Sequence, residues 1–168
     1  MRQDTEQAFL LMLNGYKAII YKISHAYAVT REDRKDLFQE IVVSLWKAYP
    51  SFKSEAKIST WIYRVALYTA ITNYRHRKKQ AKYEHLQTDQ FDILMDTVYT
   101  EQQEDLRLLY SAIEKLPPVD KAVILLLLGE NSYAEISQVL GITPAAAAMR
   151  IKRAKDKLAN FLTTLKHA

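Results

Sequence analysis

The sequence predicts an all-α protein: two small helical domains joined by an acidic linker. Three observations predict it. Breakers are scarce, with 3 Gly and 4 Pro in 168 residues, too few for a many-turned β sandwich. Apolar residues recur at three- and four-residue spacing in two separate blocks. The charge changes sign twice along the chain. Residues 1–83 carry a net +8, residues 84–105 a net −7 and residues 106–168 a net +4. These shifts set the expected boundaries: a domain over 1–83, a linker over 84–105 and a domain over 106–168.

The first domain reads as helices in order. Phe9, Leu10, Leu13, Tyr16, Ile20 and Ile23 fall at helical spacing, so a helix is expected from about Thr5 to Tyr27. Thr30 opens Thr-Arg-Glu-Asp, a start like a capping box with Asp33 in place of Glu. The helix it caps should cover Arg31 to Ala48. Leu37, Phe38, Ile41, Val42, Leu45 and Trp46 then share one face, and Asp36, Gln39, Glu40, Val43 and Lys47 the other. Pro50 ends it, and residues 51–59 form a polar loop. A third helix is expected from about Thr60 to Gln80. Tyr63, Ala66, Leu67, Ala70 and Tyr74 lie along one side, and Trp61, Arg64, Tyr68, Thr72 and Arg75 along the other. An outward stripe of aromatics and arginines suits stacking on bases and pairing with phosphates. It equally suits a partly exposed core edge. The run His76-Arg77-Lys78-Lys79 either adds to a polyanion surface or complements the helix dipole.

The second domain is expected to begin near Leu106. Leu106, Leu109, Tyr110, Ile113 and Leu116 mark a helix stopped by Pro117-Pro118. Val119 to Leu128 is a second, stopped by Gly129. Ser132 can cap a third, Tyr133 to Leu140, and Gly141 supplies a turn. Thr143 caps a fourth with Pro144 at its first position, where the missing N–H costs nothing. That helix can run to about Leu165 and bury Ala147, Ile151, Ala154, Leu158 and Leu162. A short helix, a glycine turn and a capped helix read as a helix-turn-helix or as any αα-hairpin. Arg150, Lys152, Arg153, Lys155 and Lys157 after the turn favour DNA.

Composition removes other classes. With 49% hydrophobic and 26% charged residues the chain can bury a core. The absence of cysteine excludes disulfides, thiolate metal sites and cysteine catalysis. The four histidines are scattered, so no metal and no cofactor is expected. No carboxylates cluster with His, Lys or a glycine-rich phosphate loop, which argues against an enzyme. The longest apolar run, Ala122 to Leu128, is too short to span a bilayer. A soluble cytoplasmic protein is the expectation, with no direct membrane insertion.

Three segments in order resemble a bacterial RNA polymerase sigma factor of the extracytoplasmic-function (ECF) type. Asp36-Leu37-Phe38-Gln39-Glu40-Ile41 is similar to the family's D-L-x-Q-E segment in region 2.2. Ser59-Thr60-Trp61-Ile62-Tyr63-Arg64-Val65-Ala66, then Ala70-Ile71-Thr72-Asn73-Tyr74-Arg75, resembles the run of regions 2.3 and 2.4. Ala112 to Pro117, Ser132 to Ile136, Leu140 to Thr143 and Arg150 to Ala154 resemble region 4. The likeness covers about residues 8–80 and 106–162.

The resemblance implies a non-catalytic polymerase subunit that places the core enzyme on a promoter and opens the DNA. Its partners would be promoter DNA and core RNA polymerase, through the β′ clamp helices and the β flap. Members are often held by an anti-sigma factor. Asp36, Gln39 and Glu40 would contact polymerase. Trp61, Arg64, Tyr68, Thr72, Arg75, Arg77, Lys78 and Lys79 would serve −10 recognition and melting. Residues 52–59 would form the loop that captures an extruded base. Thr143, Ala146, Arg150, Lys152, Arg153 and Lys157 would serve the −35 element. The acidic linker would thread toward the RNA exit path. The other reading is a two-domain helix-turn-helix regulator that never joins polymerase.

This sequence departs from the family pattern in two places. Tyr68 stands near where the family often has Asn, and Asn73 where it has Asp. Ala145 to Ala148 open the expected recognition helix, where polar side chains commonly reach DNA. Alanine can touch a thymine methyl but makes no bidentate bond to a base.

Overall fold

A computed structural model describes residues 2–83 and 101–168 of the protein. They hold seven α-helices and no strand. The chain divides into two compact units, Met1–Leu86 and Gln87–Ala168. Residues 84–100 of the expected acidic linker lie outside the described residues. Its last five residues are helical, because the helix expected from Leu106 begins at Glu101.

The first unit is a three-helix assembly: α1 (Arg2–Tyr27), α2 (Arg31–Ala48) and α3 (Ile58–Tyr83). Each packs on the other two. From α1 the core takes Phe9, Met12, Ile20, Ile23, Ala26 and Tyr27, a stripe of helical period. Leu10, expected in that stripe, is exposed. It sits one residue, or 100°, round from Phe9, and Met12 fills the buried position instead. From α2 the core takes Leu37, Ile41 and Leu45, all fully buried. Phe38 and Val42 flank them, half-buried. Trp46, expected inside, remains 43% exposed. Its ring meets Phe9 edge to face at 4.9 Å, so it closes the rim of the core. The entry to α2 follows the sequence: the Thr30 hydroxyl accepts from the Asp33 N–H at 3.1 Å. The Arg34 side chain donates to the Ala28 carbonyl at 3.0 Å and fixes the turn between α1 and α2.

After α2 one turn of 3₁₀ helix at Tyr49–Ser51 carries Pro50, and a loop leads to α3. The inner side of α3 is wider than its apolar period suggested. Ile62 and Thr69 are buried with Tyr63, Ala66, Leu67 and Ala70. Thr69 is tolerated there because its hydroxyl donates to the Val65 carbonyl at 2.8 Å.

The second unit is built round α5 (Pro118–Leu128), with α4 (Glu101–Glu114), α6 (Tyr133–Leu140) and α7 (Pro144–Lys166) packed on it or on each other. Residues Asp120 to Leu126 of α5 are all buried, as expected of a helix apolar nearly all round. Leu106, expected in the α4 stripe, is exposed. Full burial there starts at Ala112 and Ile113, about three turns into the helix. The turn after α5 also differs in detail. Gly129 has an ordinary φ of −82°, and Glu130 takes the left-handed conformation at φ 59°. Asn131 stabilises that end by donating to the Leu126 carbonyl at 2.9 Å.

Both caps of the helix pair are formed as the sequence predicts. Ser132 and Glu135 make a reciprocal capping box, with bonds of 3.1 and 2.8 Å. Gly141 has φ 66°, a conformation that costs other residues about 1–2 kcal/mol. Thr143 accepts from the Ala146 N–H at 3.2 Å. Ala147, Ile151 and Ala154 face the core, while Leu158 and Leu162 are half-buried. Ile136 and Ser137 are buried across from them.

Candidate polymerase and nucleic-acid interfaces

The polar side of α2 faces away from the core. Asp36, Gln39 and Glu40 are all exposed, and their three- and four-residue spacing aligns them on one face. Glu40 has a second engagement that spacing alone does not reveal. Its carboxylate accepts a 2.6 Å hydrogen bond from the Asn73 amide on α3. The Asn73 carbonyl oxygen is buried and has no hydrogen-bond partner among the described residues. A neutral amide can approach Glu40 this closely, whereas an ionised aspartate at position 73 would repel it.

The outer side of α3 carries Arg64, Tyr68, Thr72 and Arg75, all exposed. Tyr68 is 75% exposed. Trp61, expected to extend this stripe, is half-buried at its end. It leans on Phe52 at 5.0 Å and on Tyr49 at 6.3 Å between ring centres. Lys78 and Lys79 are exposed, with the Lys78 ammonium 6.0 Å from the centre of the Tyr74 ring. Arg77 turns back to α2 and pairs with Asp33 at 2.9 Å. Four residues of the expected set therefore form one open stripe, Trp61 forms its wall, and Arg77 is engaged within the fold.

Beside the stripe lies a cavity of about 170 Å³ lined by Ser51, Phe52, Lys53, Glu55, Ala56, Trp61 and Arg64. The Phe52 and Trp61 rings give it aromatic walls, while Lys53, Arg64 and Glu55 give it charge of both signs. Ser54, between two of its lining residues, is held at φ 56°. A concave aromatic site with few polar groups is suited to a planar ring.

In the second unit Ala145, Ala146 and Ala148 are exposed on the first turns of α7, and Ala147 is buried. Thr143 is exposed but its oxygen is occupied by the cap. Lys152, Arg153 and Lys155 point to solvent. Two of the expected basic residues have an internal partner. The Lys157 ammonium lies 2.5 Å from Asp120, and the Arg150 guanidinium 4.0 Å from its other oxygen. Sequence reading missed Asp120. The signal was a carboxylate beside the most apolar run, in a unit whose last helix is strongly basic.

Next to Asp120, Lys121 is buried. Burial lowers its pKa to about 8, partly offset by Glu114. In the first unit, burial, together with Arg34, holds the His25 imidazole below its usual range, against a bond to the Tyr21 carbonyl. Among the described residues no group of three or more His, Cys, Asp or Glu is placed to hold a metal ion. No described helix is long and apolar enough to cross a membrane.

Comparison with known proteins agrees with this geometry in both units. The family model for Sigma-70 region 2 matches residues 12–80, and that for Sigma-70, region 4 matches residues 106–158. The ECF RNA polymerase sigma-E factor of Haemophilus influenzae is 27% identical, over 98% of this chain and 93% of that protein. SigW of Bacillus subtilis, an ECF RNA polymerase sigma factor, is 29% identical over 98% and 94%. Among solved structures, the sigma factor RpoE from Bartonella quintana, in complex with the anti-sigma factor NepR, shares the fold. Its TM-score is 0.69 at 17% identity, over 96% of this chain and 98% of that one. CnrH in complex with the cytosolic domain of CnrY gives 0.67 at 21% identity, over 95% and 90%. The chain belongs to the sigma-70 family and, within it, to the ECF type, subunits that bind core RNA polymerase and direct it to initiate transcription at specific promoters.

Proposed function

We propose that the first unit works at the −10 element and the second at the −35 element. The observation that carries this is the open stripe Arg64, Tyr68, Thr72 and Arg75 running beside the aromatic-walled cavity. Tyr68 offers a π face to an unpaired base, worth about 1–3 kcal/mol per stacked base. Arg75, Lys78 and Lys79 meet phosphates. Residues 52–59 receive an extruded base between Phe52 and Trp61. Asp36, Gln39 and Glu40 dock on the clamp helices of the polymerase β′ subunit.

In the second unit Lys152 and Arg153 hold the phosphate backbone of the −35 duplex, with Thr143, Ala146 and Arg150 at the groove. The protein performs no chemistry of its own and acts in the cytoplasm, where polymerase and promoters are. The solved relatives are held by NepR and by the cytosolic domain of CnrY, which supports a protein antagonist of similar kind here. Run-off transcription with purified core polymerase on a genomic promoter library tests the reading. Transcripts sharing two elements at fixed spacing are expected. No transcription above core polymerase alone would overturn it.

A further inference from the structure

Asp120 is an unusual place for a carboxylate. It lies in the first turn of α5, where negative charge favours the helix dipole. That role needs no burial, yet the Asp120 side chain is only 8% exposed. It looks across to α7 and meets two cations there, Lys157 at 2.5 Å and Arg150 at 4.0 Å. Positions 150 and 157 are two turns apart, so both project from the same shoulder of α7, beside the buried line Ala147, Ile151 and Ala154. Arg153, three residues after Arg150 and four before Lys157, neighbours both on that side, further from the core, whereas Lys152 projects from the other side of the buried line.

One carboxylate thus neutralises part of a basic ridge that would otherwise be presented to solvent in full. The Arg150 and Lys157 side chains are each about half exposed, 45% and 48%, so either can leave Asp120 without being stranded in the core. Both are long and flexible enough to reach a phosphate when released. A DNA phosphate and Asp120 compete for the same donors.

We propose that Asp120 is a positioning residue that sets how much positive charge α7 offers to DNA, by engaging Lys157 and drawing on Arg150. The inference rests on the reading of α7 as a DNA-contacting helix. It gives that reading a restraint: sequence-independent attraction is held down in a helix whose first turns are alanines. Such a helix makes few base contacts, so an unrestrained basic ridge would bind any duplex.

The test measures binding of the full-length protein to a labelled duplex of arbitrary sequence over a range of sodium chloride concentrations. Each additional phosphate neutralised steepens the log–log salt slope by about 0.9. Asp120→Asn is expected to bind the duplex several-fold more tightly at low salt, with a slope steeper by about one to two such steps. Adding Lys157→Gln to that variant should take back about one step. A purely structural role for Asp120 predicts a lower melting temperature with an unchanged or shallower slope. That result in a folded variant overturns the proposal.

Lys157→Gln in the otherwise unaltered chain probes the same pair without touching α5, should Asp120→Asn not fold. It is expected to reduce the slope clearly less than Lys152→Gln does, because the Lys157 charge is already engaged. Equal reductions overturn the proposal. If neither Lys152→Gln nor Arg153→Gln alters duplex binding, the reading of α7 as DNA-contacting fails, and this proposal with it.

Discussion

Glu40 and Asn73 stand 33 positions apart in the chain and share a 2.6 Å hydrogen bond that joins the outward face of α2 to α3. Glu40 belongs with Asp36 and Gln39 on the face proposed for polymerase. Asn73 neighbours Thr72 on the helix proposed for DNA. A carboxylate that accepts a bond inside the fold cannot be deleted as if it were a free surface charge, and this shapes the first prediction.

Glu40→Gln keeps an oxygen for the Asn73 amide but removes the charge. It is expected to weaken binding to core polymerase while leaving the melting temperature nearly unchanged. Asn73→Ala should do the reverse, lowering stability by about 1 kcal/mol with little effect on core binding. Competition for core polymerase and thermal melts of both variants check this pair of opposite outcomes. The triple change of Asp36, Gln39 and Glu40 to alanine should show both losses.

The α3 stripe separates packing from promoter opening by burial. Tyr68→Ala removes a ring that is mostly in solvent, so stability should shift by no more than about 0.5 kcal/mol. Strand opening, read by permanganate footprinting, should fall clearly. Trp61→Ala removes a wall shared with Phe52 and Tyr49 and should cost about 2 kcal/mol as well as opening. Equal opening by wild type and Tyr68→Ala would exclude base stacking at this position.

The alanines at the start of α7 predict a shallow −35 preference. Each bidentate contact to a base is worth about 1–3 kcal/mol of discrimination, and Ala145, Ala146 and Ala148 can supply none. Transcription over a randomised −35 element should therefore yield a motif of low information content, with binding that falls steeply in salt. A sharp motif that moves with this unit on exchange would mean that duplex shape is being read instead.

Lys121 predicts an alkaline rise in stability. Its folded pKa of about 8 lies below the usual lysine value of 10.5, so between these the unfolded chain binds more protons than the folded one. Stability then increases with pH through that window and is lower at neutral pH. Melting temperature should climb from pH 8 to about pH 9.5, below the ordinary range for tyrosine ionisation. Lys121→Met should flatten the climb and raise the melting temperature at pH 7.

Most of the fold was legible because capping and periodicity are local. Ser132, Gly141, Thr143 and Pro144 dictate the α6–α7 turn from within a dozen residues. The two fully buried triples, Leu37/Ile41/Leu45 and Ala147/Ile151/Ala154, follow helical spacing directly. The misjudged residues lie at stripe edges. Leu10, Trp46 and Leu106 have the right chemistry for a core, but their burial depends on how far round and along each helix its packing partners reach. The candidate site was legible only as faces. Spacing places Arg64, Tyr68, Thr72 and Arg75 together, since they share one helix. It says nothing of Asp33 with Arg77, Glu40 with Asn73, or Asp120 with Lys157. Each of those pairs spans at least 33 residues and is decided by how two helices pack.

The Asp33–Arg77 pair has a practical consequence for anyone recombining such proteins. Arg77 lies near the far end of α3 and Asp33 in the first turn of α2, so the ion pair brackets nearly the whole length of both helices. A hybrid that takes α3 from one relative and α2 from another breaks a fitted set of charges, even when every buried side chain is compatible. The portable block of this protein is therefore α2 through α3, transplanted whole, with the joint placed in the turn at Ala28 and Val29.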